Sequence, residues 1–276
     1  MILRSMMFLV CCCLQYSVVA QTQNENVQPS TVIEDNSFFV EEAFNQDERV
    51  VQHIFNVLYY GKPIETMIAT FTQEWPLSGV DHQLSYTLAY AHLSSPVQDG
   101  MGDLLLNYRC QLFDESSWAA VAPRLSIIFP TGSVEKGLGM GAVGIQVNIP
   151  VSRRISDMFI THWNAGVTIF PDDKKAEADG RAVRRTVPWY NCAASLIWLA
   201  SPVWNLMLET AAISTADIGG DGGLARLTEI VVSPGVRMAI NLEGLQIVPG
   251  LAVPVSFLEG KGRVGAFLYL SFEHPY

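Results

Sequence analysis

From Arg49 onward the chain repeats one pattern: runs of about ten residues in which large apolar side chains alternate with small or polar ones, parted by Gly, Pro, Asp and Asn. Successive side chains of a strand point to opposite faces, so each run predicts a strand with one greasy face and one mildly polar face. In HQLSYTLAYAH (82–92), Leu84, Tyr86, Leu88 and Tyr90 oppose Gln83, Ser85, Thr87, Ala89 and Ala91. In DLLLNYRCQLF (103–113), Leu104, Leu106, Tyr108, Cys110 and Leu112 oppose Asp103, Asn107, Arg109 and Gln111. GIQVNIPV, WYNCAASLIWL and LQIVPGLAVPVSF split the same way. No boundary interrupts the pattern, which predicts a single all-β domain.

Soluble sandwiches and barrels also alternate, so the solvent has to be read from composition. The chain is 49% hydrophobic and only 16% charged, where a soluble domain carries about 25% charged residues. Something other than water therefore faces much of the surface. No mature segment reaches the roughly 20 consecutive apolar residues of a membrane helix. Lipid satisfies no loose backbone group, so a closed barrel is the remaining spanning structure. Lys62, Lys136, Lys174, Lys175 and Lys261 all fall in predicted turns or loops, whereas a watered sheet face would use lysine freely. The expectation is a transmembrane antiparallel β-barrel of about 12 strands, bulky rows outward and small polar rows inward. Trp75, Trp118, Trp163, Trp189 and Trp204 would suit interfacial girdles. Pro123, Pro234 and Pro249 fall mid-strand by parity and predict bulges or strand ends.

The barrel is assigned to 49–276. Residues 1–20 read as a secretory signal, with Arg4, an apolar stretch over 6–14, and small Val18 and Ala20 before the cleavage point. Export from the cytoplasm follows from it. Residues 21–48 are polar and acidic apart from Phe38, Phe39 and Val40, and predict a mobile leader or a short piece docked in the barrel mouth. Cys11, Cys12 and Cys13 leave with the signal. Cys110 and Cys192 are no disulfide framework, although a single bridge stays open. A formal net charge of -10 without any basic tract makes nucleic acid an unsuitable partner.

Parity turns Asp103, Arg109, Arg124, Glu209, Glu229 and Arg237 inward. Two readings stand. The charges pair across a confined lumen, or they set selectivity at a constriction. Asn107, Asn191, Asn205 and Asn241 would line the wall, and THWN places His162 and Asn164 beside them on the lumen face. A lone histidine is no metal site, and neither metal nor cofactor is expected. GMGAVG (139–144) spells a dinucleotide glycine pattern, but a strand follows it where a helix is needed. DIGGDGG (217–223) lacks the spaced acidic ligands of a calcium loop. His92 and Ser94 share a face, as in outer-membrane phospholipases, without an identifiable third group.

The last residues, FLYLSFEHPY, keep the alternation through Leu268, Leu270, Phe272 and the terminal Tyr276. A barrel closes by pairing its last strand with its first. Outer-membrane proteins carry such an aromatic-ended strand as a signal to their assembly machinery. This stretch, together with EEAFNQDERVVQHIF, FTQEWPLSGVDHQLSYTLAY, GMGDLLLNYRCQL and THWNAGV, resembles the outer-membrane family named after meta-pathway phenol degradation. The similarity covers about 38–276. It implies a signal peptide, a barrel in the outer membrane of a Gram-negative bacterium, and transport of small, often aromatic or hydrophobic molecules. No binding residues carry over. The expected function is a channel or passive transporter in contact with lipid, not an enzyme. The alternatives are a barrel enzyme acting on lipids or esters, and a structural barrel with a packed lumen.

Overall fold

The computed structural model describes residues 33, 37–62, 64–77, 79–176, 182–219 and 223–276. The expected signal, 1–20, and the leader up to residue 32 lie outside them. The strand segments are β1 (Val50–Tyr60), β2 (Thr66–Pro76), β3 (His82–Ser94), β4 (Val97–Met101), β5 (Leu104–Cys110), β6 (Ala120–Val121), β7 (Arg124–Phe129) and β8 (Gly144–Ser156). They continue with β9 (Phe159–Ala176), β10 (Ala182–Ser201), β11 (Trp204–Ile218), β12 (Leu224–Met238), β13 (Ile240–Leu242), β14 (Leu245–Ala252), β15 (Val255–Leu258) and β16 (Lys261–Pro275).

Neighbours pair antiparallel, and β16 returns to β1 from Val50↔Pro275 to Tyr60↔Gly265. The sheet has no edge left, which is what a bilayer demands. Four staves are each broken once. β4 and β5 both run along β3, β6 and β7 along β8, β12 and β13 along β14, and β14 and β15 along β16. Taken as continuous lines, the segments make a closed barrel of 12 strands.

The prolines explain where the ladders break. Pro123 falls between β6 and β7. Pro234 pairs with Leu208 on one side, and on its other side the β15 ladder ends at Val232 while the β14 ladder begins at Gly235. Pro249 pairs with Leu270 on one side and sits in the gap between β12 and β13 on the other. In both cases the missing N–H falls where no ladder bond is required.

The two faces follow the alternation. Leu106, Tyr108, Leu206, Leu208, Leu268 and Leu270 are exposed on the outer wall, while Asn107, Arg109, Asn205, Glu209, Phe267 and Tyr269 between them are buried. Two expectations need correction. Trp189 is not a girdle residue: it points inward, 2% exposed, edge-on to Phe170, with its indole N–H donating to the Ala216 carbonyl at 2.6 Å. Lys174 and Lys175 are not in a loop, since β9 continues to Ala176 and pairs with the start of β10. β9 and β10 have 18 and 20 residues, more than the ~11 that cross a bilayer, so their hairpin projects beyond it. Cys110 and Cys192 are both free thiols, which settles the open question of a bridge.

Candidate functional site

The lumen is filled by the chain's own leader. Residues 37–46 are buried, although the segment has no regular structure and half of its side chains are polar or acidic. Its backbone groups must therefore find partners on the wall. Near the barrel end that carries the C terminus, the Ile33 carbonyl accepts from Asn205 Nδ2 at 2.5 Å and from Arg237 Nη2 at 3.4 Å. Deeper in, the N–H groups of Phe38 and Phe39 donate to Glu209 Oε1 at 2.9 and 3.1 Å. The two rings pack on the wall, Phe39 at 4.8 Å and Phe38 at 5.4 Å from Phe267, with Phe38 also 5.3 Å from Tyr269.

The segment then crosses to the opposite wall and turns back. Glu41 Oε1 lies 2.8 Å from Arg124 Nε and 3.6 Å from Arg109 Nη1, and Asn164 donates to the Glu41 carbonyl at 2.7 Å. The Ala43 N–H donates to Ser152 Oγ at 2.7 Å, and Ser152 is joined to His162 Nδ1 at 2.7 Å. Phe44 meets that imidazole edge-on, 6.2 Å between centroids. Arg109 gives Nε to Asn45 Oδ1 at 2.9 Å, Nη1 to the Glu42 carbonyl at 3.2 Å and Nη2 to the Phe44 carbonyl at 2.5 Å. The return leg ends at the same mouth, where Asn45 donates to the Val80 carbonyl at 2.8 Å and Gln46 reaches Glu273 at 3.2 Å. Ile33 and Gln46 thus lie at the same end of the barrel, with residues 37–45 reaching into the lumen between the two walls.

At the other end of the barrel, the segment 130–143 between β7 and β8 packs against the wall. Asp103 anchors it, accepting the N–H of Gly132 at 2.9 Å and of Met140 at 2.8 Å, and Leu138 and Met140 are buried. Gly139 lies against this carboxylate, where an added Cβ would stand 2.5 Å from Asp103 Oδ1. The glycine motif is therefore a close-packed loop leading into strand β8.

Most of the sequence-expected lumen residues come together around the leader. Arg109, Arg124, His162, Asn164, Asn205, Glu209 and Arg237 touch it or support a residue that does. Asn107 accepts from Arg124 Nη1 at 2.9 Å, and Asn191 donates to Asn148 Oδ1 at 3.1 Å. Asp103 instead holds the outer loop. Glu229 accepts from the Ser256 hydroxyl and lies 3.8 Å from Arg263. Asn241 does not line a buried wall: it is exposed near the β13–β14 turn and accepts from Gln246 at 2.7 Å. Glu41, Gln111, Gln146, Asn148 and Ser152 were not singled out by sequence. Inward parity marked the last four as lumen-facing, whereas Glu41 sits in aperiodic text and carried no signal.

His92 and Ser94 share the outer face without forming a dyad. Ser94 Oγ accepts from the Glu65 N–H at 3.0 Å, and Asp99, opposite His92 in the ladder, takes the Tyr90 phenol at 3.2 Å. Among the described residues, no group of metal-binding side chains gathers.

An outer membrane channel from Pseudomonas putida F1 has the same architecture, with TM-score 0.66 and 10% identity over 85% of this chain and 98% of that one. The fold is that of an outer-membrane barrel. A NanC porin is similar at TM-score 0.50 and 6% identity, over 81% of this chain and 100% of the porin. No family profile and no curated protein matches the sequence.

Proposed function

We propose that the chain is an outer-membrane channel that passes a small solute down its gradient and is held closed by residues 37–46. One observation carries this: the obstruction is irregular, is tied to the wall through carboxylate, guanidinium and amide groups, and has Ile33 and Gln46 at the same mouth. A permanently packed interior is more stable when apolar residues replace buried ion pairs. A lumen stopped with carboxylates, guanidinium groups and amides keeps its polar wall whether the stopper is in or out, because water can replace each of those bonds. That favours a gated channel over a structural barrel. The likeness to a channel and a porin supports the same reading, as does the sequence resemblance to the phenol-degradation family. The wall would face outer-membrane lipid, the terminal Tyr276 strand would serve recognition by the assembly machinery, and the mouth beside Ile33 and Gln46, where the shorter turns lie, would be periplasmic.

Liposome swelling tests it. Proteoliposomes containing the full mature chain are expected to admit small neutral sugars faster than protein-free vesicles. Equal rates, with the barrel shown to be folded, would leave the packed structural barrel as the better reading.

A second exit has one observation in its favour. The outer wall carries a groove lined by Trp204, Val236, Leu251, Leu268 and Leu270, where the ladders of β12 are interrupted. Behind it, only the glycine backbone separates the groove from Phe38: an added Cβ at Gly235 would stand 2.7 Å from that ring and one at Gly250 2.5 Å. An apolar solute displacing Phe38 would find the wall thinnest there. Gly250→Val is expected to push Phe38 off the wall at a cost of about 1–3 kcal/mol, the usual range for overpacking. Limited proteolysis within 37–46 should then be faster than in wild type.

A further inference from the structure

The two arginines that meet Glu41 are held in different ways. Arg109 donates to Asn45 Oδ1 and to the Glu42 and Phe44 carbonyls, all of the leader, as expected of a latch. Arg124 is fixed by the wall itself: Nη1 donates to Asn107 Oδ1 at 2.9 Å and Ser126 Oγ at 2.6 Å, and Nη2 to Gln146 Oε1 at 2.9 Å. These partners belong to β5, β7 and β8, so the guanidinium keeps its orientation without the leader. Its Nε is what points at Glu41, 3.1 Å from Oε2. Asn148 Nδ2 donates to the same oxygen at 2.5 Å, and Asn148 is itself held by Asn191. The Arg109 guanidinium stands on the side of the other oxygen.

Arg124 Nε and Asn148 Nδ2 both donate to one oxygen of the carboxylate, both guanidinium groups lie within ion-pair distance of the other, and the central cation is oriented by wall side chains; these are the features of a preorganised receptor. We infer that the Arg124–Asn148–Arg109 cluster is a binding site for the carboxylate of the transported solute, and that Glu41 is its tethered occupant. A small organic carboxylate entering the lumen takes Glu41's place. The exchange replaces one carboxylate on the arginines by another, so no buried cation is left bare while the leader moves aside. The wall carboxylates Glu209 and Glu229 stand on β11 and β12, away from the β5–β8 wall, and do not compete for the cluster.

This inference rests on the channel reading, and the test separates the two. Gluconate and glucose are similar in size, do not cross lipid unaided, and differ in the carboxylate. With the full mature chain in liposomes, gluconate uptake should be saturable and several-fold faster than glucose uptake. Arg124→Gln should abolish the gluconate advantage while glucose uptake rises, because the leader has lost its ion pair. Equal rates for the two solutes in wild type, or an advantage that survives in Arg124→Gln, would overturn the site and leave the channel standing. If neither solute enters, the channel reading fails, and amide exchange decides the site alone. In the detergent-solubilised full chain, gluconate but not glucose should speed exchange of the Phe38 and Phe39 amides, in wild type and not in Arg124→Gln. No change with gluconate would dispose of the site.

Discussion

Glu41→Ala is expected to convert a mostly closed barrel into one that opens readily. Removing one partner of a buried ion pair costs about 3–5 kcal/mol, and here most of that cost falls on the closed state. With the leader withdrawn, Arg109 and Arg124 meet water in the lumen and lose little by the substitution. A bias of about 3 kcal/mol moves a two-state ratio by roughly a hundredfold. Planar-bilayer recordings of the full chain should show opening events at far higher frequency than wild type, with unchanged step size because the wall is untouched. Glu41→Gln keeps the shape and one acceptor for Asn148, so its effect should be smaller. If Glu41→Ala is as silent as wild type while correctly folded, the leader is part of a permanent core and not a gate.

The sequence left open a piece docked in the barrel mouth but gave no sign of which wall residues it meets, and that has a physical cause. A strand in a barrel advertises itself, because two solvents sort its side chains with period two; Leu106, Asn107, Tyr108 and Arg109 alternate outward and inward as their order foretells. The leader crosses the lumen without a solvent boundary beside it. Its backbone partners are side chains such as Glu209, Ser152 and Arg109, more than 60 positions away, and no local pattern encodes them. Parity could therefore say that Arg109, Arg124 and Glu209 look inward, but not what they look at. The same limit misplaced Trp189. Its composition suits an interface girdle, yet its position between outward Pro188 and Tyr190 on β10 turns it to the interior, where Phe170 and the Ala216 carbonyl accommodate it. The β9–β10 hairpin was read as a loop because charged text outside the bilayer no longer has to alternate, although the ladder continues through it.

Ile127→Arg tests whether hydrocarbon lies outside the barrel. Ile127 is on the outer face of β7, 39% exposed, between Leu106 of β5 and Ile145 of β8. All three are apolar. In lipid, an arginine near the midplane of a barrel's outer wall should cost about 2–4 kcal/mol, and near the rim about 0–1. Val97, 73% exposed at the start of β4, supplies the rim control. Urea unfolding in phospholipid vesicles should therefore separate Ile127→Arg from Val97→Arg by a difference of roughly 2 kcal/mol or more. In water both sites would be ordinary surface positions, where such substitutions stay within about 0.5 kcal/mol. Equal stabilities in vesicles would mean that the apolar rows do not meet hydrocarbon, and a closed polar lumen would then have no membrane to gate.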